Sequence, residues 1–125
     1  MFSFLAGRIR SFGYAIRGIF TLFRTQKNAQ VHLLAVVLVS LVAALLHVSA
    51  TEWCLLLICM GQVLLAEGAN TALEFLCDKV SPEYDPLIGK AKDVAAGAVL
   101  LSVIFCALVW AIIHVPKIWA LLYST

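Results

Sequence analysis

Residues 94–115 read VAAGAVLLSVIFCALVWAIIHV, and this stretch decides the fold. It contains no Asp, Glu, Lys or Arg. An α-helix rises about 1.5 Å per residue, so the stretch is long enough to cross the roughly 30 Å hydrocarbon core of a bilayer. Pro116 follows directly, and because proline breaks helices we expect the helix to end there. The stretch therefore predicts a transmembrane helix.

Two further apolar segments precede this one in the chain. Residues 31–48 are short for a span unless His32 and His47 lie at the two interfaces. Residues 53–76 are apolar as far as Ala66, after which polar residues appear on one helix face. With 63% hydrophobic and 13% charged residues, the composition lies outside the soluble range. We predict a single-domain, all-α integral membrane protein, residues 1–125, with three spans.

Residues 1–27 have the pattern of an amphipathic helix, with apolar positions every three or four residues. The apolar face comprises Leu5, Ile9, Phe12, Ile16, Ile19 and Phe23, and the other face comprises Arg10, Tyr14, Arg17, Thr21 and Arg24. We predict a surface helix whose arginines lie among anionic head groups. The alternative is an amphipathic helix packed on a protein core. Because arginines interrupt the segment, we do not expect a cleaved signal peptide.

The basic residues predict the orientation in the membrane. Five of them precede the first span, three lie between the second and third spans, and only Lys117 follows the third. The connection between the first two spans has no Lys or Arg. Because basic residues concentrate on the cytoplasmic side, we expect the N-terminus and the second connection to be cytoplasmic, and the first connection and the C-terminus to lie on the opposite side.

A polar stripe interrupts the second span. Glu67, Asn70, Glu74 and Asp78 stand at positions i, i+3, i+7 and i+11, so they share one helix face and we expect their side chains to converge on one site. An ionisable residue at membrane depth is costly to insert and indicates a functional site. The alternative is a polar seam that only holds helices together.

A second polar stretch follows the stripe. Residues 81–86, SPEYDP, indicate a surface loop, and Lys92-Asp93 stand directly before the third span. A lysine there can bind phosphate oxygens, and an aspartate can bind a ribose or a metal. The alternative is that these lysines only anchor the span. The sequence has no GxxxxGK[ST] loop, so any phosphate-binding site must be assembled from helix ends.

These two stretches resemble the signature of the small prokaryotic diacylglycerol kinases and undecaprenol kinases. Residues 67–74 read EGANTALE and are followed by Asp78, and residues 91–100 read AKDVAAGAVL. The resemblance extends to Gly13-Tyr14 and Arg17-Gly18, to Asn28 and His32, and to Glu52-Trp53. It therefore covers nearly the whole chain.

The resemblance implies an ATP- and Mg²⁺-dependent lipid kinase that forms a homotrimer of three-span protomers with shared active sites. It makes Glu67 the general base at the lipid hydroxyl and Glu74 a metal ligand. Lys92 becomes a phosphate contact. The implied nucleotide-site residues are Tyr14, Asn70, Asp78, Glu83, Asp85, Lys92 and Asp93, and the implied lipid-site residues are Glu67, Arg10 and Ala96.

The chain departs from the family pattern at Gln26, where relatives commonly carry a glutamate that supplies the second carboxylate to the metals. We keep Gln26 as a candidate metal ligand, because its amide oxygen can still coordinate. It brings no negative charge, so we expect weaker metal binding, or one ion where relatives hold two.

The motif forms are nearer to the undecaprenol kinase branch, so we expect undecaprenol rather than diacylglycerol as the acceptor. The expected partners are the bilayer, the lipid alcohol and further copies of the chain, with no nucleic acid. Two alternatives remain at this stage. One is a non-catalytic three-span assembly or regulatory module that retains the kinase fold, and the other is a pore-forming, holin-like protein, which would not account for the acidic stripe.

Overall fold

The computed structural model describes residues 2–123, without the side chains of residues 2, 3, 5 and 6. Leu5, predicted on the apolar face of the first helix, therefore lies outside the described side chains, as Met1 lies outside the described residues. The described chain forms the helices α1 (Phe2–Thr25), α2 (Lys27–Leu45), α3 (Ala50–Val80) and α4 (Pro86–Tyr123). By length and composition, α2, α3 and α4 can each cross a membrane. The predicted all-α class with three candidate spans is confirmed.

One extended residue separates α1 from α2. Gln26 has φ −104° and ψ 113°, so the helical hydrogen-bond pattern is interrupted there. The Gln30 side chain spans the break, because its Nε2 donates to the Phe23 carbonyl at 2.9 Å. This bond satisfies one of the carbonyls that the end of α1 leaves free. A side-chain hydrogen bond therefore joins α1 to α2 in addition to the backbone.

A capping box begins α3. The Ser49 hydroxyl accepts a hydrogen bond from the Glu52 backbone N–H at 3.3 Å, and the Glu52 carboxylate accepts one from the Ser49 N–H at 2.6 Å. These bonds satisfy two of the donors that a helix start leaves unpaired. Glu52 also lies 3.2 Å from the Lys117 ammonium group, so the start of α3 is joined to the far part of α4.

The fourth helix is longer at both ends than the predicted span of residues 94–115. It begins at Pro86, because one Asp85 carboxylate oxygen accepts hydrogen bonds from the backbone N–H groups of Leu87 and Ile88 at 2.7 and 3.1 Å. Lys92 and Asp93 are therefore helical. The prediction that Pro116 ends the helix is wrong, since α4 continues to Tyr123. A proline removes only one backbone hydrogen bond, and the ion pair of Lys117 stabilises the turn that follows.

The helices bury only part of their apolar surface against one another. A core of Ala43, Val48, Leu56, Met60 and Ile113 joins α2, α3 and α4 near the Glu52–Lys117 ion pair. Many large apolar side chains remain exposed in the single chain, as at 74% for Leu65 and 74% for Ile112. Such exposure is unfavourable in water, whereas a bilayer or further subunits would cover it.

Candidate active site

A polar cavity of about 360 Å³ lies between α2, α3 and α4. Glu67, Asn70 and Glu74 line it from α3, and Asn28 and His32 line it from α2. The wall on α4 is formed by Ala96, Val99, Leu100 and Val103. The 3.6-residue period of α3 therefore brings three of the four stripe residues into one space.

Asp78, the fourth residue of the stripe, lies elsewhere, which corrects the expectation that all four side chains converge. It shares the helix face of Glu67 but stands eleven residues further along α3, which is about 16 Å. It lines a separate cavity near the loop between α3 and α4. The shared face was predictable from spacing, but the distance along the helix axis divides the stripe between two cavities.

Glu67 is almost fully buried, with 2% of its surface exposed. Neither of the two ion pairs in the described part of the chain includes it. A buried carboxylate without a cationic partner is unfavourable when it is ionised, and such a group is retained where chemistry requires it. Glu67 lines a cavity instead of packing against apolar side chains, so a ligand can reach its carboxylate.

Asn70 orients the carboxylate of Glu74. Its Nδ2 donates to Glu74 Oε1 at 3.0 Å, one helical turn away. Its own Oδ1 is buried and makes no hydrogen bond with the described residues. Buried acceptors are nearly always satisfied in native proteins, so this atom is available to a ligand, an ion or water. Asn70 and Glu74 together present oxygen atoms to the cavity.

The donor set of this cavity fits Mg²⁺ shared with a phosphorylated ligand. Among the described residues, no three His, Cys, Asp or Glu side chains lie close enough to hold a metal ion by themselves. Mg²⁺ usually needs only one or two carboxylates, with waters and substrate phosphates completing its octahedron. Glu74 supplies one carboxylate. Gln26 is half-buried at the break between α1 and α2, two residues before Asn28 of the cavity wall.

The second cavity, also of about 360 Å³, lies beside the loop between α3 and α4. Asp78, Glu83, Asp85, Lys92 and Asp93 line it. The Lys92 ammonium group, which precedes the predicted third span, contacts Asp78 Oδ1 at 3.0 Å. The hydrogen bond to Asp78 and the negative charge of Asp78 raise the pKa of Lys92. Lys92 is therefore a persistent cation, while Asp85 also holds the start of α4.

The predicted site residues of α1 lie apart from both cavities in the single chain. Tyr14 is 64% exposed, and the Arg17 guanidinium carbon lies 4.9 Å from the centre of its ring. Arg10 is also exposed. Ala96, by contrast, lines the polar cavity.

Asn28 and His32 belong to the stretch that resembles the family, and His32 was expected at a membrane interface. Neither was among the predicted site residues, although both line the polar cavity. Their spacing of four residues places them on one face of α2, and the same stretch contains Gln26. That spacing is a signal in the sequence, but it identifies the two residues only when the face of α2 that meets α3 is known.

Comparison with known proteins points to one family. The family model described as prokaryotic diacylglycerol kinase matches residues 13–114. The chain is 34% identical over 109 residues to undecaprenol kinase of Bacillus subtilis, covering 87% of this chain and 89% of that protein. It is 30% identical over 105 residues to diacylglycerol kinase of Escherichia coli K12, covering 84% and 86%. It is 38% identical over 113 residues to diacylglycerol kinase of a Synechocystis strain, covering 90% and 65%.

Proposed function

The chain belongs to the prokaryotic diacylglycerol kinase family and is a lipid kinase, and on that premise we propose that it transfers the γ-phosphoryl group of ATP to the hydroxyl group of a membrane lipid alcohol. The observation that carries the proposal is the buried carboxylate of Glu67 in one cavity with the Asn70–Glu74 pair. That arrangement combines a base with oxygen ligands for a metal.

Glu67 is the general base of the proposed reaction. Its carboxylate accepts the proton of the lipid hydroxyl as the hydroxyl oxygen forms a bond to the γ-phosphorus and the bond between that phosphorus and the bridging oxygen of ADP breaks. Burial excludes water, which would otherwise compete as the acceptor. Bound Mg²⁺ would neutralise charge on the phosphates, with Glu74 and Asn70 as its protein ligands.

Lys92 binds the phosphates of the nucleotide in this proposal. Its present partner, Asp78, is 67% exposed at the side chain, so a phosphate can replace that carboxylate at modest cost. Asp93 and Glu83 line the same cavity and contact the remainder of the nucleotide. Tyr14 and Arg10 line neither cavity in one chain, which supports a homotrimer in which α1 of a neighbouring copy brings them to the site.

Undecaprenol is the favoured acceptor. The motif forms NTALE and AKDVAAGAVL support this choice, as does the similarity to a protein named undecaprenol kinase. Identity alone does not separate the two acceptors, because proteins named diacylglycerol kinase match at 30% and 38%. The distribution of basic residues supports a cytoplasmic N-terminus and a cytoplasmic active site.

The second candidate function is a non-catalytic membrane module, and Gln26 is the observation that favours it. The loss of a metal-binding carboxylate is an expected early step when a kinase evolves into a non-catalytic protein. A purely structural descendant has no reason to keep the buried Glu67 beside the Asn70–Glu74 pair, because burial of a carboxylate is unfavourable. The kinase proposal therefore accounts for more of the polar residues.

The test is transfer of labelled phosphate from ATP, with Mg²⁺, to undecaprenol and separately to diacylglycerol in mixed micelles. We expect label in undecaprenol with the intact protein and none with Glu67→Gln. Glu52→Gln removes the same charge from the first turn of α3, away from the polar cavity, and serves as the matched control, with labelling retained. Absence of label in both lipids from a folded protein would favour the non-catalytic module.

A further inference from the structure

The wall of the polar cavity on α2 contributes an amide group. Asn28 lines this cavity together with Glu67, Asn70 and Glu74 of α3. The Asn28 side chain makes no hydrogen bond with other residues in the described part of the chain. Gln26, two residues earlier, is not among the described residues that line the cavity. The amide oxygen of Asn28 is therefore free to bind a ligand there.

The surrounding structure holds Asn28 in place. It is the second residue of α2, and the next residue, Ala29, is fully buried. Gln30 joins the same turn to α1, because its Nε2 donates to a carbonyl of α1 at 2.9 Å. His32 stands one turn after Asn28 and lines the same cavity, so this face of α2 is directed toward α3. A helix that is held in this way can position a ligand atom.

The charges that line the polar cavity favour a cation. Glu67 and Glu74 are its two carboxylates, and no lysine or arginine of the described chain lines it. Only 2% of the surface of Glu67 is exposed. Ionised carboxylates are costly to bury unless a cation or a metal ion offsets their charge. A divalent cation between α2 and α3 would lower that cost.

The polar cavity has room for such an ion with its ligands. Mg²⁺ takes six oxygen ligands, and a water molecule occupies about 30 Å³ in the liquid, so six ligands need roughly 180 Å³. The cavity volume is about 360 Å³, and half of it would remain for the phosphates of a nucleotide. Oxygen atoms of Asn28, Asn70 and Glu74 would fill three of the six positions. The other three would be left for water or phosphate.

We propose that the amide oxygen of Asn28 is a further protein ligand of the divalent metal ion, in addition to the Asn70–Glu74 pair. This inference rests on the proposed kinase function, in which the ion accompanies ATP. Amide and carboxylate oxygens are the hard ligands that Mg²⁺ and Mn²⁺ prefer. Asn28 brings no charge, so the ion keeps its positive charge for the phosphates. The ion then joins the start of α2 to α3.

Asn28 and Lys27 provide a matched pair of substitutions. Asn28→Asp and Lys27→Gln each lower the net charge by one at the start of α2, but Lys27 is exposed and does not line the cavity. Mn²⁺ binding is measured by electron paramagnetic resonance with a non-hydrolysable ATP analogue and without lipid, so that no turnover occurs. Asn28→Asp should lower the Kd for Mn²⁺ about tenfold, because a carboxylate replaces the amide. Lys27→Gln should change that Kd by less than about twofold, since an exposed charge is screened.

Asn28→Leu tests the loss of the ligand. Leucine has a similar size but no oxygen, so the Kd for Mn²⁺ should rise about tenfold in a protein that elutes as the native oligomer. Unchanged Mn²⁺ binding in Asn28→Leu would overturn the proposal. Weaker Mn²⁺ binding in Asn28→Asp than in Lys27→Gln would also overturn it, because that result is expected if Asn28 donates a hydrogen bond to a phosphate oxygen instead. A misfolded variant does not bind the ion more tightly, so the gain in Asn28→Asp does not depend on a folding control.

Phosphate transfer by the intact protein separates failure of this inference from failure of the proposed function. Labelled lipid together with unchanged Mn²⁺ binding in both Asn28 variants would overturn this inference and leave the kinase function in place. The expected shifts in Mn²⁺ binding without any labelled lipid would support Asn28 as a ligand and overturn the proposed function.

Discussion

Replacing Asn70 by alanine should weaken Mg²⁺ binding and so raise the Mg²⁺ concentration that the enzyme requires. Asn70 Nδ2 donates to Glu74 Oε1 at 3.0 Å, and Asn70 Oδ1 is buried without a partner among the described residues. Alanine removes both the bond that orients the proposed metal-binding carboxylate and the amide oxygen itself. The proposed metal site therefore loses its geometry while Glu74 keeps its charge.

The expected magnitude follows from that one bond. A hydrogen bond to a charged group contributes about 1.5–3 kcal/mol, and the lower end applies because Glu74 is only half-buried. About 1.4 kcal/mol corresponds to a factor of ten. The Mg²⁺ concentration that gives half the maximal rate should therefore rise about tenfold in Asn70→Ala, measured at saturating ATP and lipid.

Thr71→Ala is the matched control for this prediction. Thr71 is buried like its neighbour Asn70, but it lines the groove between α1 and α3 instead of the polar cavity. Its hydroxyl has no hydrogen-bond partner among the described residues, so its removal should not change the Mg²⁺ dependence. The same Mg²⁺ dependence in Asn70→Ala as in the intact protein would refute the role of the Asn70–Glu74 pair in metal binding.

Three further predictions concern other parts of the chain. Gln26→Glu adds a carboxylate next to the polar cavity and should lower the Mg²⁺ concentration needed for half-maximal rate; an unchanged requirement would exclude this position from the metal site. Lys92→Ala should raise the KM for ATP several-fold without changing the KM for lipid, because it removes the cation paired with Asp78, and an unchanged KM for ATP would count against that assignment. Glu52→Gln should lower the Tm in detergent while kcat stays the same, since it weakens the cap of α3 and the ion pair to Lys117; an unaltered Tm would show that this contact contributes little.

Local periodicity made most of the fold predictable from the sequence. Residues 94–115 identify a span by length and lack of charge alone, and the spacing of Glu67, Asn70 and Glu74 assigns them to one helix face. Both features depend only on neighbours along one helix. The structure places these three residues in a single cavity.

The features that were not predictable depend on contacts between elements. The continuation of α4 beyond Pro116 is accompanied by an ion pair to Glu52, which is far away in sequence. The separation of Asp78 from Glu67 follows from the long α3, whose end reaches the loop cavity. An apolar cavity lined by His32, Met60 and Trp110 lies between α2, α3 and α4, so the periodicity of a single helix does not predict it.

The central claim is that the buried Glu67 acts on the lipid hydroxyl in the chemical step and not in nucleotide binding. The most direct test measures single-turnover phosphoryl transfer to undecaprenol and, separately, equilibrium binding of labelled ATP, in the intact protein and in Glu67→Gln. The account predicts a loss of transfer of about a hundredfold or more with ATP binding preserved, because a general base contributes to the chemical step alone. Preserved transfer, or a loss explained entirely by weaker ATP binding, would contradict it.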